Sequence, residues 1–145
     1  MVTSRVYNTA TEANVKASEH FKVKEFACKD GSKIVLIHDY LLDALEQLRK
    51  ALNNSPITIN SGYRTYSHNK EVGGASASYH LYGLAADIVV PGWTPLQVAQ
   101  VADALFPDWA GIGLYNGYVH IDGRKVKKYR FDKRSGKEVS VTKFK

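Results

Sequence analysis

Ser78-Tyr79-His80-Leu81-Tyr82-Gly83-Leu84-Ala85-Ala86-Asp87, together with Tyr118-Val119-His120-Ile121-Asp122, decides how this chain folds. Ala85 to Val90 is a short apolar run closed by Pro91-Gly92, the pattern of a buried strand. Tyr118 to Asp122 alternates polar and apolar residues, as a half-buried strand does. Successive side chains of a strand point to opposite faces, so Val119 and Ile121 enter the core while Tyr118, His120 and Asp122 share the other face. Two neighbouring strands of this kind can bring Asp87 and His120 to one point, with His80 just upstream. Two imidazoles and one carboxylate are the protein ligands of a catalytic zinc, which keeps a fourth position open for water. The seven-residue step from His80 to Asp87 differs from the four-residue helical spacing of the familiar zinc protease helix.

Working outward, the order of elements predicts an α+β fold. Leu41, Leu42, Leu45, Leu48 and Leu52 recur at helical spacing behind Asp39, a candidate N-cap, and Asn53-Asn54-Ser55-Pro56 ends that helix. Lys33 to Ile37 and Ile57 to Asn60 read as strands. A second helix starts at Thr94-Pro95-Leu96-Gln97, where Thr94 and Gln97 can form a capping box around Pro95 at the first helical position. Phe106-Pro107 ends it, and Asn116-Gly117 marks a hairpin turn before the His120 strand. Strand, helix, strands, helix, strands implies an antiparallel β-sheet with helices packed on one side, which leaves the other face for a cleft.

The motif set Ser61-Gly62-Tyr63-Arg64, Ser78-x-His80-x-x-Gly83-x-Ala85-x-Asp87 and His120-x-Asp122 resembles the zinc D-alanyl-D-alanine carboxypeptidase family. That family includes phage endolysins that cut the peptide of the bacterial wall, and its fold is shared with the hedgehog domain. The resemblance runs from about Phe21 to Gly123. It implies one zinc per chain held by His80, Asp87 and His120, with peptidoglycan as substrate. It further implies that Arg64 polarises the substrate carbonyl and that Ser78 contacts the substrate terminus. Many relatives carry an acid or a histidine two or three residues before the last ligand, where this chain has Tyr118 and Gly117. Asp122, on the same strand face as His120, is therefore the candidate catalytic carboxylate, with orientation of His120 as its other reading. His68 and Glu71 lie in the loop after Arg64 and are expected in solvent. Either a D-Ala-D-Ala carboxypeptidase or an L-Ala-D-Glu-type endopeptidase fits, with a phage endolysin as the expected setting. A catalytically silent zinc-containing wall-binding or phage structural module is the alternative.

Length and charge set the outer limits. The 145 residues fit one domain over 1–145, with a polar N-terminal arm at 1–20 and a basic segment at 123–145. Residues 1–122 carry 10 Lys and Arg against 12 Asp and Glu, a net of −2; residues 123–145 carry 10 against 2, a net of +8. The chain's net +6 thus belongs to its last stretch, which suits a polyanion such as wall teichoic acid. That stretch reads as a β-hairpin, Val126–Phe131 and Val139–Phe144 about a turn at Arg134-Ser135-Gly136-Lys137. No motif for nucleic acid is present. No apolar run is long enough to span a membrane, and a monomer is expected. Met1 to Arg5 lacks the apolar stretch of a secretory signal, so synthesis in the cytoplasm and action on the wall after release are expected. Cys28 is the single cysteine, which rules out an internal disulfide.

Overall fold

The computed structural model describes residues 4–145; residues 1–3 of the N-terminal arm lie outside the described residues. In chain order the elements are β1 (Ser4–Asn8), α1 (Thr9–Glu12), β2 (Lys16–Ser18), β3 (Phe21–Lys22), β4 (Ile34–His38) and α2 (Asp39–Ala51). They continue with β5 (Thr58–Ser61), α3 (Tyr66–Glu71), β6 (Ala85–Val89), α4 (Pro95–Leu105), β7 (Gly111–Leu114), β8 (Val119–Asp122), β9 (Tyr129–Asp132) and β10 (Val139–Ser140). Short 3-10 turns occupy Val23–Phe26 and Tyr79–Tyr82.

Six strands form the central sheet in the order β10-β9-β7-β8-β6-β5. One face is apolar. Ile59, Ala86, Ile88, Ile112 and Ile121 are buried there against the leucines of α2 and the Val98, Ala99 and Ala102 stripe of α4. Each large aliphatic side chain fully removed from water contributes about 1.5–3 kcal/mol, so this face supplies the main driving force for folding. The period-two pattern that buries Ile88, Ile112 and Ile121 sends Asp87, Gly113 and His120 to the opposite face. Asp87 pairs with His120 and Gly113 pairs with His120 in the ladder, so these residues stand in one row across three strands.

The sheet is mixed rather than wholly antiparallel, because β9 pairs with β7 in parallel. The register explains why so short a link suffices. Asp122, the last residue of β8, lies opposite Gly111, the first of β7, and Tyr129, the first of β9, also lies opposite Gly111. Residues 123–128 need only step around the end of β7, since β8 has already made the return. The basic segment is thereby built into the sheet, and its hairpin is shorter than the expected one. Arg130 is 4% exposed. It pairs with Asp103 at 2.6 Å and donates to the carbonyls of Phe106 and Ala110, tying the end of α4 to β9. Phe144 joins the core.

Two further differences have local causes. The N-terminal arm is docked, with β1 paired to β4 over five residues from Ser4↔His38 to Asn8↔Ile34. Backbone ladder bonds hold it while most of its side chains stay exposed, and a hydropathy pattern does not register that. Helix α2 is capped by His38, whose Nδ1 accepts from the Tyr40 amide at 3.0 Å, and Asp39 is its first helical residue. Helix α4 has the expected capping box between Thr94 and Gln97. Among the described residues no helix is long and apolar enough to cross a membrane.

Candidate metal centre

Three elements deliver the ligands. His80 lies in the 3-10 turn Tyr79–Tyr82, which Ser78 caps by accepting from the His80 amide at 3.2 Å. The turn ends at Gly83 in the left-handed conformation (φ +69°), where any Cβ would overlap the Leu36 backbone. Only glycine lets the chain turn there and enter β6 with Asp87 on the cleft face. His120 comes from the neighbouring β8.

The two imidazoles meet at one oxygen. His80 Nε2 lies 3.4 Å and His120 Nδ1 lies 3.3 Å from Asp87 Oδ1. These distances are long for hydrogen bonds. They match the edge of a tetrahedron whose centre-to-ligand bonds are about 2.0–2.1 Å, an edge of about 3.3 Å. All three ligand atoms fall within 4.8 Å of one another. The donor set and its spacing therefore fit zinc.

A second layer fixes each ligand. His80 Nδ1 lies 2.7 Å from the Gly62 carbonyl, which accepts from the ring N–H and leaves Nε2 facing the site. Asp87 Oδ2 accepts from Arg64 Nη2 at 3.3 Å, so a single oxygen of Asp87 is left for the centre. His120 Nε2 lies 2.8 Å from Asp122 Oδ2. Asp122 is fully buried and also accepts from the Gly111 amide and, twice, from the Arg124 guanidinium at 2.8 Å. Gly111 is required beside it, since a Cβ there would overlap the carboxylate. With both oxygens engaged and no exposure to the cleft, Asp122 sits where it orients His120. It does not sit where it could take a proton from substrate, so of its two expected roles the geometry favours the orienting one.

Charge follows the same layout. Burial works against ionisation of Asp87, but the facing His120 and His80 rings outweigh it and hold the carboxyl far below the usual range. Burial likewise opposes the Asp122 charge, and Arg124 and His120 overcome it. Burial also disfavours a charged His120, yet contact with Asp122 and then Asp87 pushes its pKa up to about 9 in the metal-free site.

The centre opens into a cavity of about 380 Å³ on the polar face of the sheet. Arg64 and Ser78 line it, along with the ligands. Arg64 is held by Ser61 Oγ and by Asn69 Oδ1, both at 3.2 Å, as well as by Asp87. Those bonds use three of the five guanidinium N–H donors and leave two for a ligand. His68 and Glu71 lie on α3 and do not line the cavity; Glu71 is exposed, whereas His68 is half-buried. Of the tyrosines near the motifs, Tyr79, Tyr115 and Tyr118 reach the cavity, whereas Tyr66 and Tyr82 are exposed elsewhere and Tyr63 packs against the core. Tyr115 stacks on Tyr118 at 4.3 Å, and burial pushes both phenols above their ordinary range.

Several supporting residues carry no local sequence signal. The Gly62 carbonyl and buried Asn69 are of this kind. Arg124 has one, since it stands two residues beyond Asp122 and a guanidinium so placed can fold back on a carboxylate.

The model of the peptidase M15 family matches residues 19–122. This chain belongs to the peptidase M15 family. A zinc D-Ala-D-Ala carboxypeptidase of Streptomyces albus G is 36% identical over 85 residues, 54% of this chain and 32% of that relative. The chain thus spans about a third of the length of the curated relative it matches. The M15 match takes in all three ligands and both layers around them up to Asp122, and it stops before Arg124 and β9.

Proposed function

We propose that this M15 chain is a zinc-dependent peptidase that hydrolyses an amide in the peptide of bacterial peptidoglycan, and that the bond is the terminal D-Ala-D-Ala. The observation that carries this reading is the convergence of His80 Nε2 and His120 Nδ1 on Asp87 Oδ1 beneath an open cleft. The name of the Streptomyces relative supports the choice of substrate. Zinc at this centre would supply a Lewis acid and an activated water. The protein's own groups then bind and orient. Arg64 offers its two free N–H donors to the scissile carbonyl oxygen, where negative charge develops. Arg124 and Lys133 also line the cleft and suit the free carboxylate that a carboxypeptidase must recognise. Tyr115 and Tyr118 stay protonated and serve as hydrogen-bond donors rather than bases.

The zinc-loaded protein is expected to release D-alanine from purified walls and from peptides ending in D-Ala-D-Ala, and a chelator is expected to stop it. Mass spectrometry of the products checks both points. Internal fragments without free D-alanine would instead identify an endopeptidase, and binding of walls with no product from several wall types would leave a silent module. We place the activity in a phage endolysin, made in the cytoplasm and reaching the wall at lysis, and the support is the resemblance of the motif set to a family that includes such endolysins.

Wall teichoic acid is the second partner we propose, through the exposed Lys127, Lys128, Lys137 and Lys143 of the basic segment. Deleting residues 126–145 would not test this, because β9 and Phe144 belong to the folded body. Changing these four lysines to glutamine is expected to reduce co-sedimentation with teichoic-acid-bearing walls, and salt should do the same to the parent protein. Unaltered sedimentation of the variant would remove teichoic acid from the account.

A further inference from the structure

The residues after the family match build one wall of the cleft. Tyr129, Phe131, Lys133 and Glu138 all line the cavity, and all come from β9 and the turn that joins it to β10. Phe131 forms the floor, with its ring 5.9 Å from His120 on one side and 5.4 Å from Tyr129 on the other. Among the described residues the lining carboxylates are Asp87 and Glu138. Asp87 is committed to the centre and to Arg64. Glu138 accepts from the Tyr129 hydroxyl at 2.7 Å and belongs to none of the ion pairs among the described residues.

Distance decides what this carboxylate can do. Glu138 immediately precedes β10, which lies three strand spacings from β8, about 14 Å at the usual sheet spacing. Proton transfer at the scissile amide needs an approach of about 3 Å, so Glu138 is no general base for that bond. It stands instead at the distance of a neighbouring side chain of a bound peptide. Two extended residues span about 7 Å and a four-carbon stem adds about 6 Å, which together bridge the gap. Phe131 and Tyr129 line the cavity between the two, and aromatic rings so placed can cover the alkyl stem of such a side chain; the Arg124 guanidinium already lies over the Tyr129 ring, 5.2 Å from its centroid. Three other cations face the cavity. Arg64 is tied to Asp87 and Arg124 is paired with buried Asp122, while Lys133 lies 5.8 Å from the Tyr115 ring.

We propose that Glu138, held by Tyr129, is a specificity subsite for a primary ammonium on a side chain of the wall peptide, as a diamino acid about two residues from the scissile bond would carry. This rests on the peptidase reading for the identity of the peptide, though not for its test. The test uses a pentapeptide ending in D-Ala-D-Ala with lysine two residues before the scissile bond, and its Nε-acetylated twin. In both, a ketomethylene replaces the scissile amide, and binding to the zinc-loaded full chain is measured by calorimetry. Tighter binding of the free amine by about tenfold or more is expected, with the two affinities brought together by Glu138→Gln. Circular dichroism of that variant confirms that the hairpin is intact. Equal affinities in the parent protein, no binding of either peptide, or a preference that survives Glu138→Gln would overturn the subsite. The amide forms of the same peptides report on hydrolysis separately. A binding preference without cleavage upholds the subsite and defeats the peptidase reading, while cleavage without a preference defeats the subsite alone.

Discussion

Replacing His120 by alanine should yield a folded protein that holds no stoichiometric zinc and has lost wall-peptide hydrolysis by about three orders of magnitude or more, the several kcal/mol that metal chemistry contributes to the transition state. The fold should survive because the ring lies on the cleft face, and the core under β8 is made by Val119 and Ile121. Asp122 also keeps its pairing with Arg124 and the Gly111 amide, so no buried carboxylate is orphaned. Asp122→Asn is the informative contrast. It leaves all three ligands and weakens only the support of His120, so zinc affinity should fall by about 10–100-fold and excess zinc should restore turnover. If Asp122 were instead the proton acceptor, the variant would bind zinc well and remain inactive at saturating metal. Elemental analysis beside turnover at two zinc concentrations separates these cases. A His120→Ala protein that still carried one zinc and cut peptide would put the centre elsewhere.

Much of this site is legible in the chain because the relevant periods are short. The alternation in Tyr118–Asp122 is enough to place His120 and Asp122 together on the face away from Val119 and Ile121, and β8 follows it. The Thr94 capping box is equally local, and α4 begins there. What stays hidden depends on partners distant in sequence. The Nδ1–H of His80 donates to the carbonyl of Gly62, and no side chain announces that acceptor. Pairing of β9 beside β7 follows from where β8 ends, so the sheet's parallel step and the Glu138 wall of the cleft are tertiary facts. Charge counting marks residues 123–145 as a basic tail, yet Arg130 spends its charge on Asp103 and four backbone carbonyls inside the body. The one-acid deficit before His120 was visible, but composition cannot say that the neighbouring Asp122 is sealed from the cleft.

The metal-free protein should lose stability at alkaline pH, and bound zinc should remove that loss. Without metal, the His120 imidazolium donates to Asp122 and Asp87, and its pKa is pushed up to about 9 from an unfolded value near 6.5. A group whose folded pKa is raised stabilises the fold fully below its unfolded value and loses that contribution as pH climbs through the folded one. About 2.5 pKa steps correspond to about 3 kcal/mol, present near pH 6 and gone near pH 10. Asp87 and Asp122 act at the other end. Their depressed values stabilise the fold above the ordinary carboxylate range and cease to do so as acid protonates them. Zinc cancels the alkaline trend, because it takes the Nδ1 lone pair that the proton holds. Its apparent affinity should therefore rise about tenfold per pH unit from 7 to 9 and level off above, with release of a proton on binding. The melting temperature in chelator should fall between pH 7 and 10 while the increment added by zinc grows. Calorimetric titration of zinc in buffers of different ionisation enthalpy reads the released proton directly. A chelated protein whose melting temperature is flat over that range, with zinc affinity independent of pH, would mean that His120 carries no proton between the two aspartates.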